Sequence, residues 1–452
     1  MPPRSPAPLL ILALFAAGCV RLPAPVGAPP QWRAAQQPPL PPDQAEALAT
    51  APTLHQALRL ALERNPALAA ARRRWFAAIQ TIPQAASLPD PMLEAGVDLT
   101  EPMPMLERGW SFGIRQELPW WRKLWARGEL AAREADVMRL EYEIAARDLL
   151  IDVKDAWYEL YYLDQAAPIT ARVEEILRNQ ALLAYGELRT GRTQLAEAFR
   201  AESQAAQLAY DRLLLADERV ARAERLRALL NLPPGAVIGP ITAAPIYPVT
   251  DDRQELYARA EQWAQRLRIS GLRAEQAEYE AYLARLSRLP DLTLGWMNEA
   301  NVPAMMGDTM RTALGGMNLP IWQQRNHALI REREALAEAA RLDAAAELNR
   351  LGEAVANAWL RVRTTDRLAR LYCEELLPRA QAAMAQAEAL FRADQAAFAS
   401  LLETTMAWHN FQLAYHRARA DHGQAIGMLE RALGTTAEAR PAGATPDGEG
   451  RP

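Results

Sequence analysis

The sequence predicts a mostly α-helical chain with a small membrane β-barrel sector, organised as two tandem helix–strand–strand–long helix–helix repeats. Three observations predict it. From Trp120 to Arg189 the chain holds about 70 residues whose sole proline is Pro168, enough for a helix of roughly 105 Å. Motifs of the first half return in the second at an offset of about 200 residues, the mark of internal duplication. Between its helices, each half carries just two short segments that alternate as strands do.

Composition sets the class. Alanine, arginine and glutamate fill long periodic segments, as in extended helices. The formal net charge is −4 and the arginines are interleaved with acids, which argues against nucleic-acid binding. Lysine occurs only at Lys123 and Lys154, a scarcity we read as genomic codon bias.

Residues 1–18 read as a signal peptide: Arg4 precedes an apolar run from Leu9 to Ala17 that is too short to span a bilayer. Ala16-Ala17-Gly18-Cys19 resembles a bacterial lipoprotein cleavage box, so a covalent lipid at Cys19 is expected, and no other cofactor. Val20 is not the aspartate that commonly retains lipoproteins in the inner membrane. With Cys19 modified, Cys373 has no partner for a disulfide within the chain. Residues 19–52, proline-rich from Leu22 to Pro42, are expected to be a lipidated tether.

The first repeat spans residues 53–234. A helix is predicted from Leu54 to Ala86, stopped by Leu88-Pro89-Asp90-Pro91. Strands follow at about 92–99 and 110–117, then the long helix 120–189, a tip at 189–193 and a helix over 193–232. In the long helix, Leu124, Gly128, Ala131, Ala135, Met138, Tyr142, Ala145 and Leu149 form a heptad seam. Leu130, Val137, Ile144, Ile151 and Tyr158 form a second seam beside it, so a neighbour is expected on each side. Pro168 is expected to kink this helix without ending it.

A linker covers residues 235–252. The second repeat, 253–434, restates the first: a helix from Arg253 to Arg288, strands at about 292–297 and 310–318, a long helix 321–392, a tip 392–398 and a helix 398–433. Leu289-Pro290-Asp291 repeats Leu88-Pro89-Asp90, and Leu319-Pro320-Ile321-Trp322 repeats Leu118-Pro119-Trp120-Trp121. Gln412 to Arg417 repeats Gln207 to Arg212 almost letter for letter. Residues 435–452 are small and polar and are expected to be disordered.

Lengths carry the first inference about assembly. In each half the two shorter helices, stacked end to end, match the long one by helical rise. The strands have the length that crosses a bilayer when tilted. Open strand edges cannot sit in lipid, and four strands cannot close a barrel. Three copies supply twelve, so the strands predict a homo-oligomer, most simply a homotrimer.

With these segments in place, the mature chain resembles the TolC family of outer-membrane efflux factors. The Leu-Pro-Trp-Trp-Arg-Lys-Leu start of the long helix and Leu188 to Arg192 at the first tip are similar to the heavy-metal branch typified by CusC and CzcC. The resemblance implies a homotrimeric 12-stranded β-barrel in outer-membrane lipid, continued by a periplasmic α-helical barrel. It also implies a periplasmic adaptor and an inner-membrane resistance-nodulation-division pump as partners, and heavy-metal cations as cargo. The family's tip pattern is an aromatic, a glycine three residues on, then an acid-bearing helix. Gly191 and Glu197 match it at the first tip; at the second, Phe391 and Glu403 match, while Asp394 stands where glycine is usual. Ser400 and Ala396 stand where drug-exporting members carry an aspartate and an arginine.

No catalytic motif is present, and the protein is not expected to be an enzyme: there is no phosphate-binding loop, nucleophile set or Cys/His cluster. The candidate residues are those of a channel. Glu197, Asp394, Glu403 and Ser400 are tip or gate candidates, because threefold symmetry turns each carboxylate into a ring that attracts cations. Leu188, Arg189, Thr190, Gly191, Arg192 and Phe391 are candidates for the tip turn and adaptor contact. Trp110, Trp120, Trp121, Trp125, Trp296 and Trp322 lie near strand ends and helix starts, where an interfacial girdle is expected. Met103, Met105, Met305 and Met306 are weak metal candidates: thioethers suit Cu(I) or Ag(I), yet methionine is also a common filler. No metal site is expected otherwise. Competing readings are an exit channel for organic drugs or type I secreted proteins, and a non-conducting lipid-anchored coiled-coil scaffold; the strand pairs speak against the scaffold.

Overall fold

The computed structural model describes residues 40–97, 109–188, 194–246, 249, 252–300, 309–393 and 398–435. In chain order the helices are α1 (Pro42–Thr50), α2 (Leu54–Arg64) and α3 (Pro66–Ala86), followed by strands β1 (Met92–Val97) and β2 (Trp110–Leu118). Helices α4 (Trp121–Leu188), α5 (Leu195–Leu229), α6 (Arg253–Trp263) and α7 (Gln265–Leu286) come next. Strands β3 (Leu292–Ala300) and β4 (Thr309–Met317) lead to α8 (Gln323–Arg370), a π-helical turn (Leu371–Leu376), α9 (Leu377–Arg392) and α10 (Phe398–Leu433).

The helices form a wall. Helix α4 packs on α2, α3 and α5 to one side and on α7 and α10 to the other; α7 and α10 in turn pack on α8. Helix α4 runs unbroken for 68 residues, and Pro168 does not end it.

The predicted helix Leu54–Ala86 is two helices. Asn65 stands before Pro66, which pushes it to an extended backbone (φ −68°, ψ 119°), and its side chain caps α3 through the amides of Ala67 and Leu68. The predicted helix Arg253–Arg288 is likewise broken, at Ala264, which is also extended.

Both breaks receive the end of another helix. Asn65 Nδ2 donates to Leu229 O at 3.0 Å and Asn231 Nδ2 to Arg64 O at 3.1 Å, which seats α5 on α3. Gln265 Nε2 donates to Gly434 O at 2.9 Å, which seats α10 on α7. Asn231 (φ 50°) and Gly434 (φ 77°) turn the chain out of these helices in the left-handed region, which asparagine and glycine tolerate best. A Cβ on Gly434 would also lie 2.5 Å from Trp263 O.

Three further expectations need correction. The second long helix is interrupted by the π-helical turn at Leu371–Leu376, because Pro378 has no N–H to give and its ring crowds the preceding turn. The tether 19–52 contains α1, whose Leu48 is buried and whose Leu48 O accepts from Gly239 N at 3.0 Å. The linker 235–252 is no loose connector: Ile238, Ile241 and Ala244 are buried, and Tyr158 donates its hydroxyl to Pro245 O at 2.6 Å. Strand bounds differ as well, with β3 reaching Ala300 because it pairs with β2 over its whole length. Residues 98–99, the signal segment and the tail from 436 lie outside the described residues.

The core sits around the middle of α4, where Trp157, Leu160 and Val153 meet α2, the end of α5 and the linker. A second cluster fills the tip half, from Val173 and Leu177 to Ala201, Leu208 and Leu402. Helix α10 approaches α4 closely because Gly423 faces the ring of Tyr158, where any Cβ would collide. Both lysines of the chain clamp the halves together: Lys123 to Asp291 at 2.8 Å and Lys154 to Glu430 at 2.6 Å. Exposed ion pairs such as Arg133–Glu275 at 2.7 Å and Arg341–Glu278 at 2.8 Å staple α7 to α4 and to α8.

Candidate functional site: the strand sheet and the helix tips

The four strands make one antiparallel sheet in the order β1-β2-β3-β4, so the two halves of the chain join through β2 and β3. Register fixes the faces, because directly paired residues share one. Ile114 pairs with Leu93 and Trp296, and Trp296 with Ala313. This face carries Leu93, Val97, Trp110, Phe112, Ile114, Leu292, Leu294 and Met317, all exposed. Asn298 and Arg311 interrupt it near the β3–β4 loop, where they pair with each other. The opposite face carries Glu94, Ser111, Arg115, Glu117, Thr293, Glu299 and Thr312, with Arg115 and Glu94 paired at 3.0 Å. One face suits hydrocarbon and the other water. Among the described residues the outer edges of β1 and β4 have no partner strand within the chain.

The sheet is fixed to the helices at one polar knot. Asp291 accepts from Lys123 Nζ at 2.8 and 2.9 Å and from Trp120 N at 3.0 Å, while Lys123 also reaches Leu289 O at 2.9 Å. The repeated Leu-Pro-Asp and Leu-Pro-Trp-Trp motifs therefore meet each other across the two halves.

The tryptophans divide. Trp120, Trp121 and Trp322 are exposed where helices begin, and Trp110 is exposed at the outer end of β2. Trp125 packs edge-on against Tyr279 (6.0 Å) and Tyr282 (6.4 Å), between α4 and α7. Trp296 sits mid-strand and not near a strand end, since β3 extends to Ala300.

At the tips, Phe391 is half-buried and meets Phe398 edge-on at 5.5 Å, closing the α9–α10 pair. Glu403 and Ser400 are exposed on α10, Glu197 is half-exposed in the first turn of α5, and Leu188 ends α4. Among the described residues neither Glu197 nor Glu403 forms an ion pair. Arg189, Thr190, Gly191, Arg192 and Asp394 lie outside the described residues, as do Cys19, Met103, Met105, Met305 and Met306.

Sequence reasoning did not find the buried Gln180–Thr405 pair behind the tips. Gln180 Nε2 donates to Thr405 Oγ1 at 3.1 Å between α4 and α10, and His409 lies one turn beyond, 3 % exposed, with no hydrogen-bond partner at Nδ1 among the described residues. Burial pushes the His409 imidazole below its usual range against the pull of Asp211. The signal was the spacing Thr405–His409 on an otherwise apolar stripe. His416 bonds to the Tyr161 hydroxyl at 3.0 Å and plays a packing part. Among the described residues no group of three or more His, Cys, Asp or Glu is placed to hold a metal, and no helix is long and apolar enough to cross a membrane.

Long helices in a wall, shorter helices stacked end to end in two pairs, and a four-stranded antiparallel sheet at one end make a fold shared with solved outer-membrane channels. The chain superposes on the outer-membrane channel OprN with a TM-score of 0.72 at 18% identity, covering 87% of this chain and 92% of that one. For the outer membrane protein VceC of Vibrio cholerae the values are 0.69, 18%, 85% and 97%. For CusC, described for its folding and transmembrane channel formation, they are 0.71, 14%, 84% and 92%. No protein-family model matches the chain, and no curated protein matches it in sequence.

Proposed function

We propose that the chain is the outer-membrane channel component of a tripartite efflux system, working with an inner-membrane resistance-nodulation-division pump and a periplasmic adaptor. The observation that carries this is the sheet: one apolar face, one polar face and two unpaired edges. In lipid an unpaired edge leaves backbone donors and acceptors unsatisfied, so the sheet must close with copies of itself. Three chains give a 12-stranded barrel, continued by the helical wall as a periplasmic α-barrel.

The helices support the same closure. At about 100° per residue, Leu342, Leu360 and Leu368 lie on the side of α8 opposite its buried Ala337, Val355 and Val362, and all three leucines are exposed. At the other end of the wall, Phe199, Tyr210, Leu213 and Leu214 are exposed on the side of α5 opposite its buried Ala201, Ala205 and Leu208. One apolar flank would meet the other around the threefold axis. The tandem duplication supports quasi-sixfold symmetry, since both helix-stack junctions use an amide side chain and a left-handed residue in the same way.

Cys19 acylation would hold each chain to the membrane before its strands insert, and mass spectrometry of the mature N-terminus tests it. Glu197 and Glu403 would ring the periplasmic opening. Heavy-metal cations are the cargo that the resemblance to the metal branch favours. The residues act by shape and charge, and none performs covalent chemistry.

Purified full chain added to planar bilayers tests the proposal. Stable conductance steps are expected; a protein that inserts yet passes no current contradicts it. Loss of copper, silver, zinc, cobalt and cadmium tolerance on deletion, with redundant channels removed, is the expected cargo result.

A further inference from the structure

Where α10 ends against the start of α7, α4 and α8 border a half-open cavity of about 640 Å³. Five arginines from four helices line it: Arg147 of α4, Arg266 of α7, Arg350 and Arg361 of α8, and Arg431 of α10. Glu347 is the one carboxylate in the lining. Leu351, Met428 and Ala432 give the cavity apolar walls.

The charges do not cancel. Arg350 pairs with Glu347 at 3.0 Å and Arg431 with Asp152 at 3.0 Å, while Asp148 is shared between Arg431 at 3.3 Å and Arg147 at 3.4 Å. Arg266 and Arg361 have no carboxylate partner among the described residues. Arg147 is the buried member, with a side chain 13 % exposed; one of its terminal nitrogens goes to Gln265 Oε1, and its Nε has no acceptor. Burial pushes the Arg147 guanidinium down, and Arg266 and Arg431 push the same way. An arginine ordinarily keeps its charge, so the cluster favours a counter-charge from outside the chain.

Helix packing does not call for these arginines. The matching junction of the first half, at Asn65 and Leu229, borders a cavity lined by two arginines, Arg72 and Arg73, both of α3 and accompanied by Glu63. Nor is this a headgroup site of the membrane that the sheet would enter. Arg147 lies 26 residues along α4 from Trp121, roughly 39 Å of helical rise.

We propose that this cavity binds a small multivalent oxyanion, a phosphate ester or a polycarboxylate, held by Arg147, Arg266 and Arg361. Guanidinium forks match such oxygens two at a time. The bound anion ties α4, α7 and α8 together at the level where α10 meets α7, so its occupancy stabilises the wall. The proposal does not depend on conduction.

The test uses the full chain in mild detergent with inorganic pyrophosphate as probe, followed by calorimetric titration and thermal melting. Saturable binding of one pyrophosphate per chain and a rise in melting temperature are expected. Arg266→Gln and Arg361→Gln, both at exposed positions, are each expected to weaken binding about tenfold, as loss of a charge-assisted bond does. Arg341→Gln, on the same helix but paired with Glu278, is expected to leave it unchanged. No saturable binding overturns the proposal. So does equal weakening by Arg341→Gln, a melting shift that sodium chloride reproduces at matched ionic strength, or binding to dissociated chains alone.

Discussion

The two long helices descend from one pattern yet end in different surroundings. Helix α4 is enclosed: Trp157, Leu160, Leu163, Val173 and Leu177 are each no more than 2% exposed. Helix α8 buries one stripe on α7 and α10 and leaves Leu342 at 63% and Leu360 at 54% exposed on the other side. What separates them is position in the wall. A helix in the middle finds both neighbours within its own chain, and a helix at the flank finds only one. The leucine stripe on that flank is left without a partner among the described residues.

The largest expected effect falls on the enclosed helix. Trp157→Ala removes a side chain 2% exposed and is expected to lower chain stability by about 3–5 kcal/mol in chemical denaturation. Next is the knot under the sheet. Lys123→Met leaves Asp291 with its backbone amide donor and no ion-paired lysine, and a loss of about 1–3 kcal/mol is expected by the same measurement.

Asp155 sharpens the comparison through pH. Burial raises its carboxyl to about 6, with Arg431 opposing and Asp152 adding to the rise. A carboxyl whose folded pKa lies above its unfolded value binds protons more readily in the native state. Its contribution to stability is therefore present below about pH 4, falls between about 4 and 6, and is a constant penalty above. Asp155→Asn is expected to stabilise the chain at pH 7.5 by about 1–2 kcal/mol, discounted for partial exposure, and to change nothing below about pH 4. Melting curves at the two pH values check this.

The smallest effect on the single chain is expected from the flank. Leu342→Ala should change chain stability by no more than about 0.5 kcal/mol, because the side chain is already in water. Leu342→Glu with Leu360→Glu should leave the helical circular dichroism intact while shifting native mass spectra from trimers toward monomers. A loss of helix with either flank variant would erase the distinction between α4 and α8.

The four strands and the long helices were legible because their signals are periodic and local. Apolar residues at helical spacing and alternation between Trp110 and Glu117 need no knowledge of neighbours. The breaks were less legible. Asn65-Pro66 carries a cap and a proline that a careful reading catches, but Ala264 carries no such signal, and the break there is marked only by a tertiary contact, Gln265 with Gly434 at the end of α10. Charge pairing was opaque for the same reason. Lys123 and Lys154 looked like survivors of codon bias, and the fold makes both of them clamps between the halves. The arginine cavity collects residues from 147 to 431, so no sequence window contains it.

The central claim is that copies pool their strands, and cross-linking of the sheet's edges tests it most directly. On a Cys373→Ser background, Glu94→Cys on β1 is combined in turn with Met310→Cys, Thr312→Cys or Leu314→Cys, all on the polar face of β4. Three registers are thereby sampled. Oxidation in native membranes should give disulfide-linked species at two and three times the chain mass in at least one combination, with reduction restoring the single chain. Monomer alone in all three, with the protein inserted in the membrane, would contradict the claim.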